Sequence, residues 1–130
     1  MNSFKLFEPV KRGRLNLIRE LLANKVDPNC RDDFCFSPLY WAVLGDHLDI
    51  VRELLIHGAD PNARDNLNQT HLHMATKCEK LDIIRELLAH GANPNRENNN
   101  GQTPSDMTTN QDIKDLLASY EEDIKEPGCD

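Results

Sequence analysis

Leu48-Asp49-Ile50-Val51-Arg52-Glu53-Leu54-Leu55 returns 33 residues later as Leu81-Asp82-Ile83-Ile84-Arg85-Glu86-Leu87-Leu88. It is preceded, at the same step, by Leu15-Asn16-Leu17-Ile18-Arg19-Glu20-Leu21-Leu22. Working outward, Asp27-Pro28-Asn29, Asp60-Pro61-Asn62 and Asn93-Pro94-Asn95 keep the same interval. A fixed period of this length means one supersecondary unit copied along the chain.

Each copy reads as two short helices and a turn. Ser37-Pro38 is a helix start, with a hydroxyl N-cap and a proline whose missing N–H is harmless at the first helical position. Thr103-Pro104 repeats that signal. A helix of about eight residues through Tyr40, Trp41, Ala42 and Val43 should follow. The longer partner begins near Leu48 and sets Leu48, Val51, Leu54 and Leu55 on one face. Gly58 and Gly91 end it by taking the left-handed position past the last turn. Ala59 to Gln69 is polar and turn-rich and should project as a hairpin-like finger. Two short helices cannot bury their own apolar stripe, so the copies must stack into an all-α solenoid in which neighbours supply the core.

These residues resemble the ankyrin repeat: an Asp-x-x-Gly turn, a Thr-Pro-Leu-His segment, a Gly-His-Leu-type turn and a Gly-Ala-Asp-x-Asn ending are visible in 32–63 and 65–96. The resemblance covers roughly residues 4–120 and implies a slightly curved solenoid of L-shaped repeats. The expected organisation is a capping repeat at 1–31, full repeats at 32–64 and 65–97, a shortened cap at 98–120 and an acidic flexible tail at 121–130.

Departures from the pattern carry information. Lys25 stands where Gly58 and Gly91 stand, and a left-handed lysine costs about 1 kcal/mol. Pro9 falls where Ala42 and Ala75 sit, which predicts a kink or restart of the first short helix. In the last copy Ile113, Leu116 and Leu117 match Val51, Leu54 and Leu55 only if about four residues of the inter-helix turn are missing. The finger turn keeps its glycine at Gly101, replaces it with Asn68, and replaces it again with Cys35. Asp32-Asp33-Phe34-Cys35-Phe36 thus breaks a local rule with no structural gain visible in the sequence.

Composition bounds the function. The 130 residues are 38% hydrophobic and 28% charged, and no apolar run approaches the roughly 18 residues of a membrane span. No apolar stretch of signal-peptide length follows Met1-Asn2-Ser3-Phe4-Lys5, so a cytoplasmic or nuclear protein is expected. The net charge of −7 disfavours nucleic acid as a partner. Residues 1–31 nevertheless hold seven Lys and Arg against three Asp and Glu, and residues 32–130 hold eight against nineteen. Such a field orients a charged partner during encounter. Cys30, Cys35, Cys78 and Cys129 have no metal-ligand spacing and are expected as reduced thiols. The sequon Asn68-Gln69-Thr70 is then a chance match.

No catalytic motif is present: no nucleophile elbow, phosphate-cradling glycine loop or H-E-x-x-H. An EF-hand reading of the Asp/Asn-rich fingers fails on register. His71 and His73 lie two apart on a helix and cannot both face one metal ion. His73 matches the histidine of the ankyrin motif, where it is expected to bond finger backbone, and His71 replaces the proline. No enzyme, cofactor or metal is therefore expected.

The resemblance implies a non-enzymatic, monomeric protein-binding module whose finger tips and short-helix face grip another protein. The corresponding positions are Asp33, Phe34, Phe36 and Leu44 in the second copy, with Trp41, more at home in the core, able to reach the same face. In the third they are Asn66, Leu67, Gln69, Lys77 and Cys78, and in the fourth Asn99, Asn100 and Gln102. Phe34, Phe36 and Leu67 are the apolar ones, and exposed aromatic residues tend to dominate interface energy. The alternative placement for Phe34 and Phe36 is against the first copy. Other readings are a targeting fragment of a larger scaffold or enzyme, and a substrate of an asparaginyl hydroxylase at Asn29, Asn62 or Asn95.

Overall fold

The computed structural model describes residues 6–124. Helices α1 (Phe7–Lys11) and α2 (Leu15–Ala23) form the first pair, α3 (Pro38–Leu44) and α4 (Leu48–Ile56) the second, and α5 (His71–Lys77) and α6 (Leu81–Ala89) the third. A 3-10 turn at Pro104–Met107 and α7 (Gln111–Ile124) make the fourth. Short helices touch short helices (α1 on α3, α3 on α5, α5 on the 3-10 turn), and α2, α4, α6 and α7 stack in their own row. This is the translational stack that the period requires.

The core runs as one seam along the stack. Leu6, Val10, Ile18, Leu39, Val43, Ile50, Leu54, Leu72, Ile83, Leu87, Ile113 and Leu117 are among its buried members. Helix α3 starts as its sequence demands: Ser37 is extended, its Oγ accepts the Tyr40 N–H at 3.3 Å, and Pro38 follows. Gly58 and Gly91 have φ of 98° and 97°, and Lys25 holds the equivalent place at 70° despite its side chain. The turns between helices also need one left-handed residue each, supplied by Gly13, Asp46 and Glu79.

One local expectation holds and three are corrected. The α-helix of the first copy starts at Phe7, two residues later than its counterpart in the second copy and after a 3-10 residue at Leu6. This puts Pro9 in the first turn, where its missing N–H has no helical partner anyway. The fourth copy has a four-residue 3-10 turn where the second and third have a seven-residue α-helix. Its Ile113 and Leu117 sit third and seventh in α7, as Ile83 and Leu87 do in α6. Three residues are therefore missing, rather than four, and they come from the end of the short helix. Finally, α7 continues to Ile124, four residues into the segment read as a tail, since Glu121, Glu122, Asp123 and Ile124 contain no helix breaker. Residues 125–130, with Cys129, lie outside the described residues.

Candidate protein-binding face

Three fingers connect the pairs, each built around one side chain. Asp65 Oδ1 accepts the N–H groups of Leu67 at 2.8 Å and Gln69 at 3.0 Å. Asn98 Oδ1 does the same for Asn100 and Gln102, and Asp32 Oδ1 for Phe34 and Phe36 at 2.9 Å each. These loops close with a left-handed residue at Cys35, Asn68 and Gly101. Asp65 N–H donates to Gln69 O, and a single antiparallel bridge joins Arg64 and Thr70. The segment 32–36 therefore does have a structural gain, contrary to expectation. Its carboxylate supplies hydrogen bonds that offset the strain at Cys35, and Arg31 Nη1 donates to the Cys35 carbonyl at 2.9 Å.

Neighbouring fingers are bolted together. Asn29 Nδ2 donates to Gly58 O and Asn29 Oδ1 accepts from Asp60 N–H. Asn62 repeats both bonds on Gly91 and Asn93. The fourth copy offers Asn95 no glycine turn, since α7 runs on to Ile124, and the Asn95 side-chain amide makes no hydrogen bond among the described residues. Of the three modification candidates, Asn29 and Asn62 are thus engaged at both ends of the amide. Arg31 Nη1 also donates to Arg64 O at 2.6 Å. Thr70 N–H donates to His73 Nδ1, which leaves the proton on Nε2 to donate to Gln102 O at 2.7 Å. His73 is fully buried and bonds the next finger's backbone, as anticipated. His71 is buried too, with Nε2 3.1 Å from Ser37 Oγ, so both histidines are structural.

The second copy gathers the aromatic residues. Phe36 stacks on Tyr40 with ring centroids 3.8 Å apart and planes 2° from parallel. Trp41 meets Phe36 edge-on at 5.8 Å and Tyr40 at 5.5 Å, and Phe34 lies 6.3 Å from Phe36. Trp41 is half-buried, its indole N–H donates to Asp32 Oδ2 at 2.9 Å, and Lys11 Nζ stands 4.4 Å above its ring. Trp41 accordingly does both things expected of it: it packs against the core while its indole edge reaches the finger at Asp32. Phe36 folds onto its own copy's Tyr40 rather than onto the first copy. Tyr40 itself escaped the sequence reading, although it is two residues past the Ser37-Pro38 start and one before Trp41.

The other sequence candidates fall on the same side. Phe34 is 67% exposed, Leu67 62% and Leu44 46%. Asp33, Asn66, Lys77, Cys78, Asn99 and Asn100 are exposed, and Gln69 and Gln102 half-buried. Leu67, Gln69, Lys77, Asn99, Asn100 and Gln102 line one shallow depression. Some of these polar groups serve the fold as well: Asn68 Nδ2 donates to Asn99 Oδ1, and Asn98 Nδ2 to Gln69 Oε1 and Gln102 Oε1. Among the described residues no group of three His, Cys, Asp or Glu is placed to hold a metal ion. Nor is any helix there long and apolar enough to cross a membrane.

The row of longer helices is different in kind. Arg19 Nε donates to Glu53 at 3.1 Å and Arg52 Nε to Glu86 at 2.9 Å, one repeat apart. The charges there are consumed by the stack itself.

A family model described as ankyrin repeats (3 copies) matches residues 6–98 and again 39–126. No curated protein matches the chain.

Proposed function

The chain belongs to the ankyrin repeat family, and from that premise we propose that its concave face binds another protein through the aromatic cluster of the second copy. Ankyrin repeats generally mediate protein–protein interaction and are typically non-catalytic. The observation that supports this site is Phe34. It stands 67% exposed at the edge of a packed ring cluster, held by a finger whose geometry Asp32 fixes. A rigid, exposed aromatic residue loses little conformational entropy on binding, which is what an interface anchor needs.

The test compares three forms of the protein as baits in cell extract. Proteins retained by the wild type should be lost by the Phe34→Ala, Phe36→Ala double variant. They should be kept by Ile56→Ala, which removes an equally exposed apolar side chain (66%) from the row of longer helices. Circular dichroism establishes that all three fold. Equal retention by the double variant removes the assignment.

A further inference from the structure

A small cleft lies between the fingers built on Asp32 and Asp65, lined by Phe36 and Tyr40, by Arg31, Arg64 and Asp65, and by the buried Ser37 and His71. Its volume is about 50 Å³, a third of the roughly 150 Å³ cavity that a benzene molecule occupies. The cleft is open on one side, and its volume is on the scale of a small polar group such as a carboxylate rather than a ring.

The charges beside it are arranged unevenly. Along the longer helices, Arg19 and Arg52 are paired with Glu53 and Glu86. On the concave side Lys11, Arg31, Arg64 and Lys77 make no ion pair with any described residue. The carboxylates of Asp32 and Asp65 keep their charge but are turned to neutral donors of their own fingers, Asp32 to Phe34 N–H, Phe36 N–H and the Trp41 indole, and Asp65 to Leu67 and Gln69, while Asp33 is exposed beside them. Arg31 is held in place by the two carbonyls its Nη1 reaches, which leaves the rest of its guanidinium fork to donate elsewhere. The whole chain is acidic, yet an exposed charge is screened within about 8 Å at physiological salt. The two arginines and one aspartate that line the cleft therefore weigh more on what approaches it than the acidic remainder of the chain.

We propose that this cleft receives the carboxylate of an Asp or Glu side chain from the partner protein, with an adjoining apolar residue of the same segment seated on Phe34 and Phe36. The partner is thus an acidic-apolar peptide segment. The proposal rests on the concave-face reading and adds the chemistry of the ligand to it.

The probe is a library of random twelve-residue peptides displayed on phage and selected on the full chain. Selected sequences should be enriched in Asp or Glu beside an aromatic or aliphatic residue. A synthetic peptide of the best sequence should bind Arg64→Gln about tenfold more weakly than the wild type, because a charge-assisted contact is lost. The Arg64 side chain makes no hydrogen bond or ion pair with any described residue, so this variant should keep the fold, which circular dichroism checks. Binding to Arg52→Gln, which loses the same charge from the row of longer helices, should be unchanged. Selection of peptides without acidic residues overturns the proposal, as does equal binding to Arg64→Gln, or equal weakening by Arg52→Gln. If no peptide is selected, or if the Phe34→Ala, Phe36→Ala variant binds the selected peptide as well as the wild type, the concave-face reading itself falls.

Discussion

The Asn62 side chain spans two repeats, donating to the Gly91 carbonyl at 3.0 Å while accepting the Asn93 N–H at 2.7 Å. One amide satisfies one donor and one acceptor of the neighbouring finger, and Asn29 does the same one repeat earlier. Asn95 has the same sequence context and no such partners, which gives a built-in control.

Asn62→Ala should lower the unfolding free energy by about 1–3 kcal/mol, from two hydrogen bonds at about 0.5–1.5 kcal/mol each. Asn95→Ala should stay within about 0.5 kcal/mol of the wild type. Urea titration followed by circular dichroism measures both.

Asp32→Ala leaves the N–H groups of Phe34 and Phe36 and the Trp41 indole without their acceptor. Destabilisation of about 1–3 kcal/mol is expected, with a red shift of Trp41 emission as the indole gains water. Burial alone would raise the Asp32 pKa, but the bonds from Phe36, Trp41 and Phe34 outweigh it and hold the carboxyl below its usual value. The stability this group contributes is present above the unfolded carboxylate range and is lost as the pH falls through the folded value.

His71 titrates the other way. Burial pushes it down to about 4, against the pull of the Pro61 carbonyl, so the fold holds it neutral where an unfolded chain would carry the charge. Between the usual value near 6.5 and about 4 the unfolded state binds the proton and the folded state does not. Stability should therefore fall as the pH drops across that window. His71→Pro places the ring of the ankyrin motif at the first position of α5, where a proline is tolerated. Thermal melts at pH 7.5 and pH 5 should show a smaller drop for this variant than for the wild type.

Thiol reactivity should separate the cysteines. Burial, then Asp27, pushes Cys30 up to about 11, leaving little thiolate at neutral pH. Cys35 and Cys78 are exposed. Timed alkylation with iodoacetamide, mapped by peptide mass spectrometry, should modify Cys35 and Cys78 well before Cys30.

Lys25 is left-handed at φ 70°. Lys25→Gly should raise stability by about 0.5–1 kcal/mol, reduced by the extra freedom glycine gives the unfolded chain. Chemical denaturation decides it.

The helix pairs were legible because apolar spacing, Ser37-Pro38 and the Gly58 and Gly91 stops are local signals that the stack does not contradict. Asp32 was not, since its role depends on Trp41 nine residues away and on a loop conformation that sequence spacing does not encode. Tyr40 was missed for a related reason: its neighbour on the same helix, Leu39, is a core residue, and only the ring geometry separates them. The fourth copy misled because Thr103-Pro104 signals a helix start without saying how far the helix runs. Three absent residues cut it to a 3-10 turn.

Several of the bonds that join one copy to the next repeat from seam to seam, and they stop where a counterpart is missing: Leu116 occupies the place of Glu53 and Glu86, and among the described residues Arg85 pairs only with Asp82, at 3.9 Å. A duplicate of residues 65–97 spliced in after Glu97 would meet Asn95 and Arg85 where residues 65–97 now meet Asn62 and Arg52, with Thr70 in place of Ser37 beside its His71. The protein is in this sense extendable, and the length of its row of fingers is set by copy number rather than by any feature of a single fold unit.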